Sequence, residues 1–242
     1  DVSGSKRELI MSKQKGFTLI EIAIVLVIIG LLLGGVLKGQ ELITSARVRN
    51  LISQQDGIKA AFFGFQDRFR AMPGDMPTAN EDLACPGLAQ CLKGDGNGII
   101  TGAAAAREDI LVWMHLASAG FLNGNFAMAA LNETASDLNS PKNPYSIYLQ
   151  VIYDAVYADT GSPPPNKHNL KTGAQIPVEI VAEVDRKIDD GNPVGGTFQF
   201  SAYNGGGTGG VAPVGGAAGQ CYVGTAWSSA TIDTNCGGAS LF

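Results

Sequence analysis

Glu21 is the residue whose placement most demands a chemical explanation. It is the one charged side chain in the stretch from Phe17 to Leu37, which reads FTLIEIAIVLVIIGLLLGGVL. An ionised carboxylate in hydrocarbon costs at least about 2.5 kcal/mol unless it meets a cation or a proton. A cation at the same depth would come from the chain itself if the bond between Gly16 and Phe17 were cut. Phe17 would then carry a free, positive amine about one helical turn from Glu21. In a medium of low dielectric such a pair attracts strongly, and separating it leaves two uncompensated charges. Shared between neighbouring copies, it would set the axial register of one helix against the next.

The other candidate groups are cysteines, acids and two histidines. Cys85 and Cys91 form one close pair and Cys221 and Cys236 another. An even number in two local pairs fits two disulfides formed in an oxidising compartment. Free buried thiols or a metal site are the alternatives, although neither pair has C-x-x-C spacing and His115 and His168 lie far from both. The stretch Lys93-Gly94-Asp95-Gly96-Asn97-Gly98 offers Asp95 and Asn97 as calcium candidates. It departs from an EF-hand loop, with Ile99 where an oxygen ligand belongs and Ala106 where the glutamate belongs, so a Gly-rich turn is the preferred reading. No H-E-x-x-H, G-x-S-x-G or phosphate-binding loop occurs, so nothing positive points to an enzyme. The net charge of -5 gives no basic footprint, and no nucleic acid partner is expected.

These groups need elements to hold them. A helix over 17–37 would span ~30 Å at ~1.5 Å per residue, the thickness of a bilayer core. Lys6, Arg7, Lys13 and Lys15 precede it. By the positive-inside rule the N-terminus stays in the cytoplasm and the remainder crosses. A secretory signal peptide is a poor match, because the apolar run is too long and no A-x-A-like site follows closely. A plain anchor explains everything except Glu21. Gly30, Gly34, Gly35 and Gly39 line this segment; they would let helices approach closely or weaken the helix locally, and both readings stay open.

The residues Lys13-Gln14-Lys15-Gly16-Phe17-Thr18-Leu19-Ile20-Glu21 resemble the cleavage and methylation motif of type IV prepilins and type II secretion pseudopilins. The resemblance, which with the following helix covers roughly the first quarter of the chain, implies cleavage after Gly16 by a membrane aspartyl peptidase. It also implies N-methylation of Phe17 and a role for Glu21 in assembly. Met11 would open the short leader MSKQKG that suits this family; residues 1–10 read as a mis-called start, a fragment, a vector-derived remnant or a genuinely longer leader. The resemblance likens Cys221–Cys236 to a C-terminal disulfide that ties the last segment to a sheet. It also makes Asp185, Asp189 and Asp190 calcium candidates, since pseudopilin heads carry such an ion. Calcium is the one cofactor entertained.

Beyond Leu37 the helical signal continues. Leu51, Ile58, Phe62, Phe65, Phe69 and Met72 form one apolar stripe, and Pro73-Gly74-Asp75 ends it. One helix is therefore expected from about Phe17 to Ala71, apolar all round at first and amphipathic later. Asp75 to Asn97 reads as loop. Glu108 and Asp109 open a second helix with Ile110, Trp113, Leu116 and Ala117 on its apolar face, Gly120 at its end, and His115 as a solvated or hydrogen-bonded surface residue. Tyr145–Tyr157 reads as a strand, Ser162–Leu170 as a polar loop, and 177–188 as a third helix that opens with Pro177 and stops at Gly191. Thr197–Tyr203 reads as another strand and Asn204–Gln220 as a low-complexity loop. The expected fold is α+β and pilin-like: a long N-terminal helix packed on a head with a small antiparallel sheet, two further helices and long loops. The expected divisions are a leader over 1–16, a membrane or filament-core helix over 17–37, its amphipathic continuation over 38–72, and a head over 73–242.

The function expected from the resemblance is a structural subunit of a type IV pilus or pilus-like filament, major or, as the large and loop-rich head suggests, minor, with a type II secretion pseudopilin as the alternative. Two disulfides lean toward the pilus. The expected partners are copies of itself and other pilins in a helical filament, the prepilin peptidase, an inner-membrane assembly platform, and lipid before assembly. The precursor would cross the inner membrane once with its head in the periplasm, before entering a filament in the periplasm or at the cell surface. The rival from another class is a membrane-anchored periplasmic binding or adhesive module that never polymerises, and Glu21 distinguishes them: a mere anchor has no use for it.

Overall fold

The computed structural model describes residues 16–85, 87–158, 164–208, 210–228 and 233–242. The leader expected over 1–16, with Lys13 and Lys15, lies outside the described residues except for Gly16. The chain divides into two compact units at Ile43/Thr44, a boundary that falls inside the first helix.

Helix α1 runs from Leu19 to Phe69. In the first unit its side chains are exposed on every side, Leu19, Leu26, Leu31 and Leu37 among them. That part of the helix is long and apolar enough to cross a membrane, and none of its most apolar window is buried. Apolar residues on all faces leave no polar side to turn to water, the pattern of a segment that finds its cover in lipid or in other helices.

In the second unit α1 turns amphipathic. Val48, Leu51, Ile58, Phe62 and Phe65 are buried along one face. Burying each such side chain is worth about 1.5–3 kcal/mol. Phe69 and Met72 are only partly buried against the same core. The helix stops where Arg70 adopts a left-handed backbone (φ 54°), three residues ahead of Pro73. Gln55 sits inside the apolar stripe, fully buried, and its Oε1 accepts a 3.0 Å hydrogen bond from Ser240 Oγ.

Among the described residues three further α-helices follow: the single turn α2 (Ala79–Asp82), α3 (Glu108–Ser118) and α4 (Val178–Ile188). Pro177 stands just ahead of α4 rather than inside it, and its fixed φ of -56° suits that entry. The main sheet has four antiparallel strands in the order β3 (Gln150–Asp154), β4 (Lys167–Lys171), β8 (Gly238–Leu241) and β5 (Phe198–Phe200). Two small hairpins, β1–β2 (Gly102–Ala103 with Ala106–Arg107) and β6–β7 (Tyr222–Val223 with Ala226–Trp227), complete the strands. The α+β architecture is thus the one expected from the sequence.

β8 lies in the middle of the sheet. Ser240 stands opposite Leu170 on one side and Phe198 on the other. The Cys221–Cys236 disulfide closes two residues before it, and the Cys85–Cys91 disulfide staples the loop after α2. Two apolar clusters result. In one, Ile58, Phe62 and Phe65 of α1 meet α3 with Val151 and Leu170. In the other, Val48 and Leu51 meet α4, Phe198, Phe200, Trp227 and the second disulfide.

Several expectations fail here, among them a loop over Asp75–Asn97 that contains α2 and a strand over Thr197–Tyr203 that shortens to Phe198–Phe200. Ser162–Leu170 was expected as loop, yet Lys167–Lys171 forms β4, paired on both edges. Pairing overrides the polar composition, because the polar side chains find partners: Lys171 Nζ donates to Asp154 and Asn169 Nδ2 donates to Asp154 Oδ1 at 3.0 Å. The strand expected over Tyr145–Tyr157 shrinks to five residues.

His115 is not a surface residue; it is completely buried. Helix α3 is covered on all sides, from Glu108 to Leu116, so its polar positions also face protein. His115 Nδ1 accepts the Gly74 N–H at 2.9 Å, and Nε2 therefore carries the proton and donates to the Leu92 carbonyl at 2.8 Å. Burial pushes its pKa down to about 4, so the ring is neutral and fastens the turn after α1 to the disulfide loop.

Candidate functional site

Gly16 and Phe17 lie outside any helix, and Phe17 is 83% exposed. α1 begins two residues later with a reciprocal set of bonds. Thr18 N–H and Thr18 Oγ1–H both donate to Glu21 Oε2, at 2.7 and 2.8 Å, and Glu21 N–H points back to Thr18 Oγ1 at 3.3 Å. This is a capping box: the hydroxyl and the carboxylate satisfy N–H groups that the first helical turn leaves without partners. The first backbone bond of the helix follows, from Ile22 N–H to the Thr18 carbonyl at 3.4 Å. Thr18 carries no role in the expectations from sequence. Its signal was present as Thr18-Leu19-Ile20-Glu21, an S/T-x-x-E pattern just before an apolar run.

Glu21 therefore sits in the first turn of α1, where a negative charge also meets the positive end of the helix dipole. The local structure places Gly16, Phe17 and Glu21 at one junction between non-helical chain and helix. The junction holds a free stretch of backbone, a residue whose amine cleavage would expose, and a carboxylate one turn away.

The four cysteines lie elsewhere, as the disulfides Cys85–Cys91 and Cys221–Cys236, both buried. Asp233 lies near the second pair, but sulfurs bonded to each other are not thiolate ligands.

Two acidic groups offer oxygens to a cation. One oxygen from each of Asp185, Asp189 and Asp190 falls within 4.8 Å of the others. Each carboxylate also has a protein donor. Asp185 Oδ2 accepts the Trp227 indole N–H at 2.7 Å, Asp189 Oδ2 accepts the N–H groups of Thr197 and Phe198, and Asp190 Oδ1 accepts that of Asn192. Burial pushes Asp185 up to about 6 against the bond from Trp227.

The second group joins Asp95 to Asp75 and Glu108, and Asp95 also accepts the Asn97 N–H at 3.0 Å and the Asn97 Nδ2–H at 2.8 Å. Asp75 accepts the N–H groups of Gly96, Asn97 and Gly98 at 2.7, 3.1 and 2.7 Å, so the Gly-rich stretch wraps this carboxylate. Asn97 Oδ1 is turned into its own loop, on the Ile99 N–H at 2.7 Å. Burial pushes Asp75 and Glu108 up, opposed by those N–H bonds at Asp75 and by the N–H groups of Thr101 and Asp95 at Glu108. The arrangement is a Gly-rich turn folded on a buried acid, and the spacing of Asp95 and Asn97 reflects that turn.

Residues 11–37 match the family model of the prokaryotic N-terminal methylation motif. No curated protein and no solved structure matches the chain significantly. The matched segment contains Gly16, Phe17, Thr18 and Glu21, together with the membrane-length part of α1. The motif marks structural subunits, made as precursors, processed by a peptidase and assembled with other pilins, rather than enzymes. Over residues 11–37 this chain carries the signature of type IV prepilins and pseudopilins.

Proposed function

We propose that the protein is a minor structural subunit of a type IV pilus or pilus-like filament. It is inserted in the inner membrane with its N-terminus in the cytoplasm, cut after Gly16 and methylated on Phe17. It is then held in the filament by Glu21 of one copy meeting the Phe17 amine of a neighbour. The observation that carries this reading is Glu21 placed one turn from the Gly16–Phe17 bond on a helix whose first unit is apolar on every face. The two disulfides and the long loops of the second unit support a specialised subunit rather than a minimal one.

The test is mass spectrometry of the mature protein from a host that has the peptidase. The expected chain starts at N-methylated Phe17; an intact leader overturns the reading. Glu21→Val is expected to abolish filament incorporation while the disulfide-bonded head persists, and unaltered incorporation would remove the assembly role. Type II secretion pseudopilins share the signature, and shearing separates the two systems. Recovery with sheared surface filaments supports the pilus; loss of protein secretion on deletion, without surface filaments, supports the pseudopilin.

A further inference from the structure

We propose that Thr18 is a positioning residue for leader removal: by closing the capping box with Glu21 it stops α1 at Leu19 and keeps the Gly16–Phe17 bond in non-helical chain. The proposal rests on the reading of this junction as the processing site.

A peptidase must reach the backbone on both sides of the bond it cuts. Extended chain offers those N–H and C=O groups to a partner, whereas helical chain has already committed them to itself. Where the helix starts therefore decides whether the bond is presented. In the structure the start is fixed by three bonds between only two residues, Thr18 and Glu21, at 2.7, 2.8 and 3.3 Å. Phe17 and Gly16, immediately before them, are exposed and non-helical.

Without those bonds, the N–H groups of the first turn have no side-chain acceptor. Hydrocarbon supplies no water to replace it. Extending α1 backwards would bond these N–H groups to the carbonyls of residues 14–17 and shift the unpaired ones toward the headgroups. Gly16 opposes such an extension only weakly, as one poor helix former. The scissile bond would then lie inside the first helical turn.

Glu21 has two separable parts in this account. As a hydrogen-bond acceptor it caps, and glutamine serves that position as well. As a charge it can pair with an amine, which glutamine cannot do. Thr18→Ser keeps the hydroxyl, and Thr18→Val removes it at constant shape.

The test uses the full-length precursor in membrane vesicles that contain the prepilin peptidase, with cleavage followed by gel mobility and mass. Thr18→Val is expected to be cut about fivefold more slowly, the rate equivalent of ~1 kcal/mol of capping at tenfold per ~1.4 kcal/mol. Its Phe17 amide should gain protection from hydrogen exchange. Thr18→Ser and Glu21→Gln are expected to be cut at the parental rate, with no added protection. Cleavage of Thr18→Val at the parental rate overturns the proposal, as does equal slowing of Thr18→Ser. If the parental precursor is itself not cut after Gly16, the processing reading fails instead, so the two failures are distinguishable.

Discussion

Replacing His115 with leucine tests whether one buried imidazole locks the loop architecture above α3. The side chain is completely buried, with Gly74 N–H donating to Nδ1 at 2.9 Å and the Leu92 carbonyl accepting from Nε2 at 2.8 Å. Leucine fills much of the space but leaves one donor and one acceptor unpaired. At ~1–3 kcal/mol for each unpaired group, the loss is roughly 2–6 kcal/mol. That is a large part of the ~5–15 kcal/mol that holds a typical domain.

The pH dependence gives a second signature. The folded-state pKa is about 4 against an ordinary value of 6.5. The unfolded chain thus binds the proton more readily. The stabilisation is complete above about pH 6.5 and is lost as the pH falls toward 4, by up to about 3 kcal/mol at ~1.4 kcal/mol per unit. Buried Asp185, Asp75 and Glu108 have raised pKa values and slope the opposite way, so the informative quantity is the parent-minus-variant difference. Urea unfolding of the detergent-solubilised protein, read from the fluorescence of buried Trp113 and Trp227, should show that difference shrinking between pH 6.5 and 4. An unchanged urea midpoint at pH 7.5, or a difference that does not vary with pH, would refute the assignment of His115 as a neutral double-bonded clamp.

Two further substitutions probe the second unit. Asp185→Asn keeps an acceptor for the Trp227 indole but removes a buried charge whose pKa sits at about 6. Because a raised carboxylate pKa makes stability fall as pH rises from about 4 through 6, the variant should be more stable than the parent at pH 7.5 by about 1–3 kcal/mol and indistinguishable below pH 4, as measured by the same urea titration. Gly238→Ala places a methyl group 2.2 Å from the buried Phe198 ring in the central strand. It should destabilise by about 1–3 kcal/mol, seen as a fall in Tm of roughly 2–4 °C per kcal/mol.

What could be read in the sequence was what depends on local pattern. The apolar stripe from Leu51 to Phe65, the stop at Pro73, and the helices at 108–118 and 178–188 each follow from side-chain periodicity and a terminating residue. Close cysteine pairs likewise suggest their own partners. What escaped was set by contacts distant in sequence. Lys167-His168-Asn169-Leu170-Lys171 has no strand-like composition, and it becomes β4 because Asp154 on β3 and Ala239 to Leu241 on β8 meet it from either side. His115 looked like a surface residue because the loops that bury it come from Gly74 and Leu92, outside its own helix. At the candidate site, Gly16, Phe17 and Glu21 were legible because a lone carboxylate in an apolar run is conspicuous. Thr18 was overlooked because a threonine is unremarkable until its hydroxyl is seen on that carboxylate.

The junction at residues 16–21 also explains, on the proposed reading, why proteolysis would come before assembly. Before cleavage, Lys6, Arg7, Lys13 and Lys15 lie upstream of the apolar helix. Each basic residue at an anionic membrane surface contributes about 1 kcal/mol of attraction, and Glu21 is the one charged side chain in the apolar run that follows. Such a helix is held at the cytoplasmic face and cannot be drawn out cheaply. On that reading, cleavage after Gly16 would remove these four basic side chains, together with Asp1 and Glu8, in one step and create a single amine beside a single carboxylate. The new amine stands at the positive end of α1, an unfavourable place for a cation, and Glu21 offsets that cost as well as its own. On the same reading, the segment would then carry a pair summing to zero, with its apolar faces still uncovered. Its lowest-energy surroundings are other copies of the same helix, where each amine can meet a neighbour's carboxylate. The carboxylate that marks where the helix starts would thus become, on the proposed reading, the group that aligns it with the next.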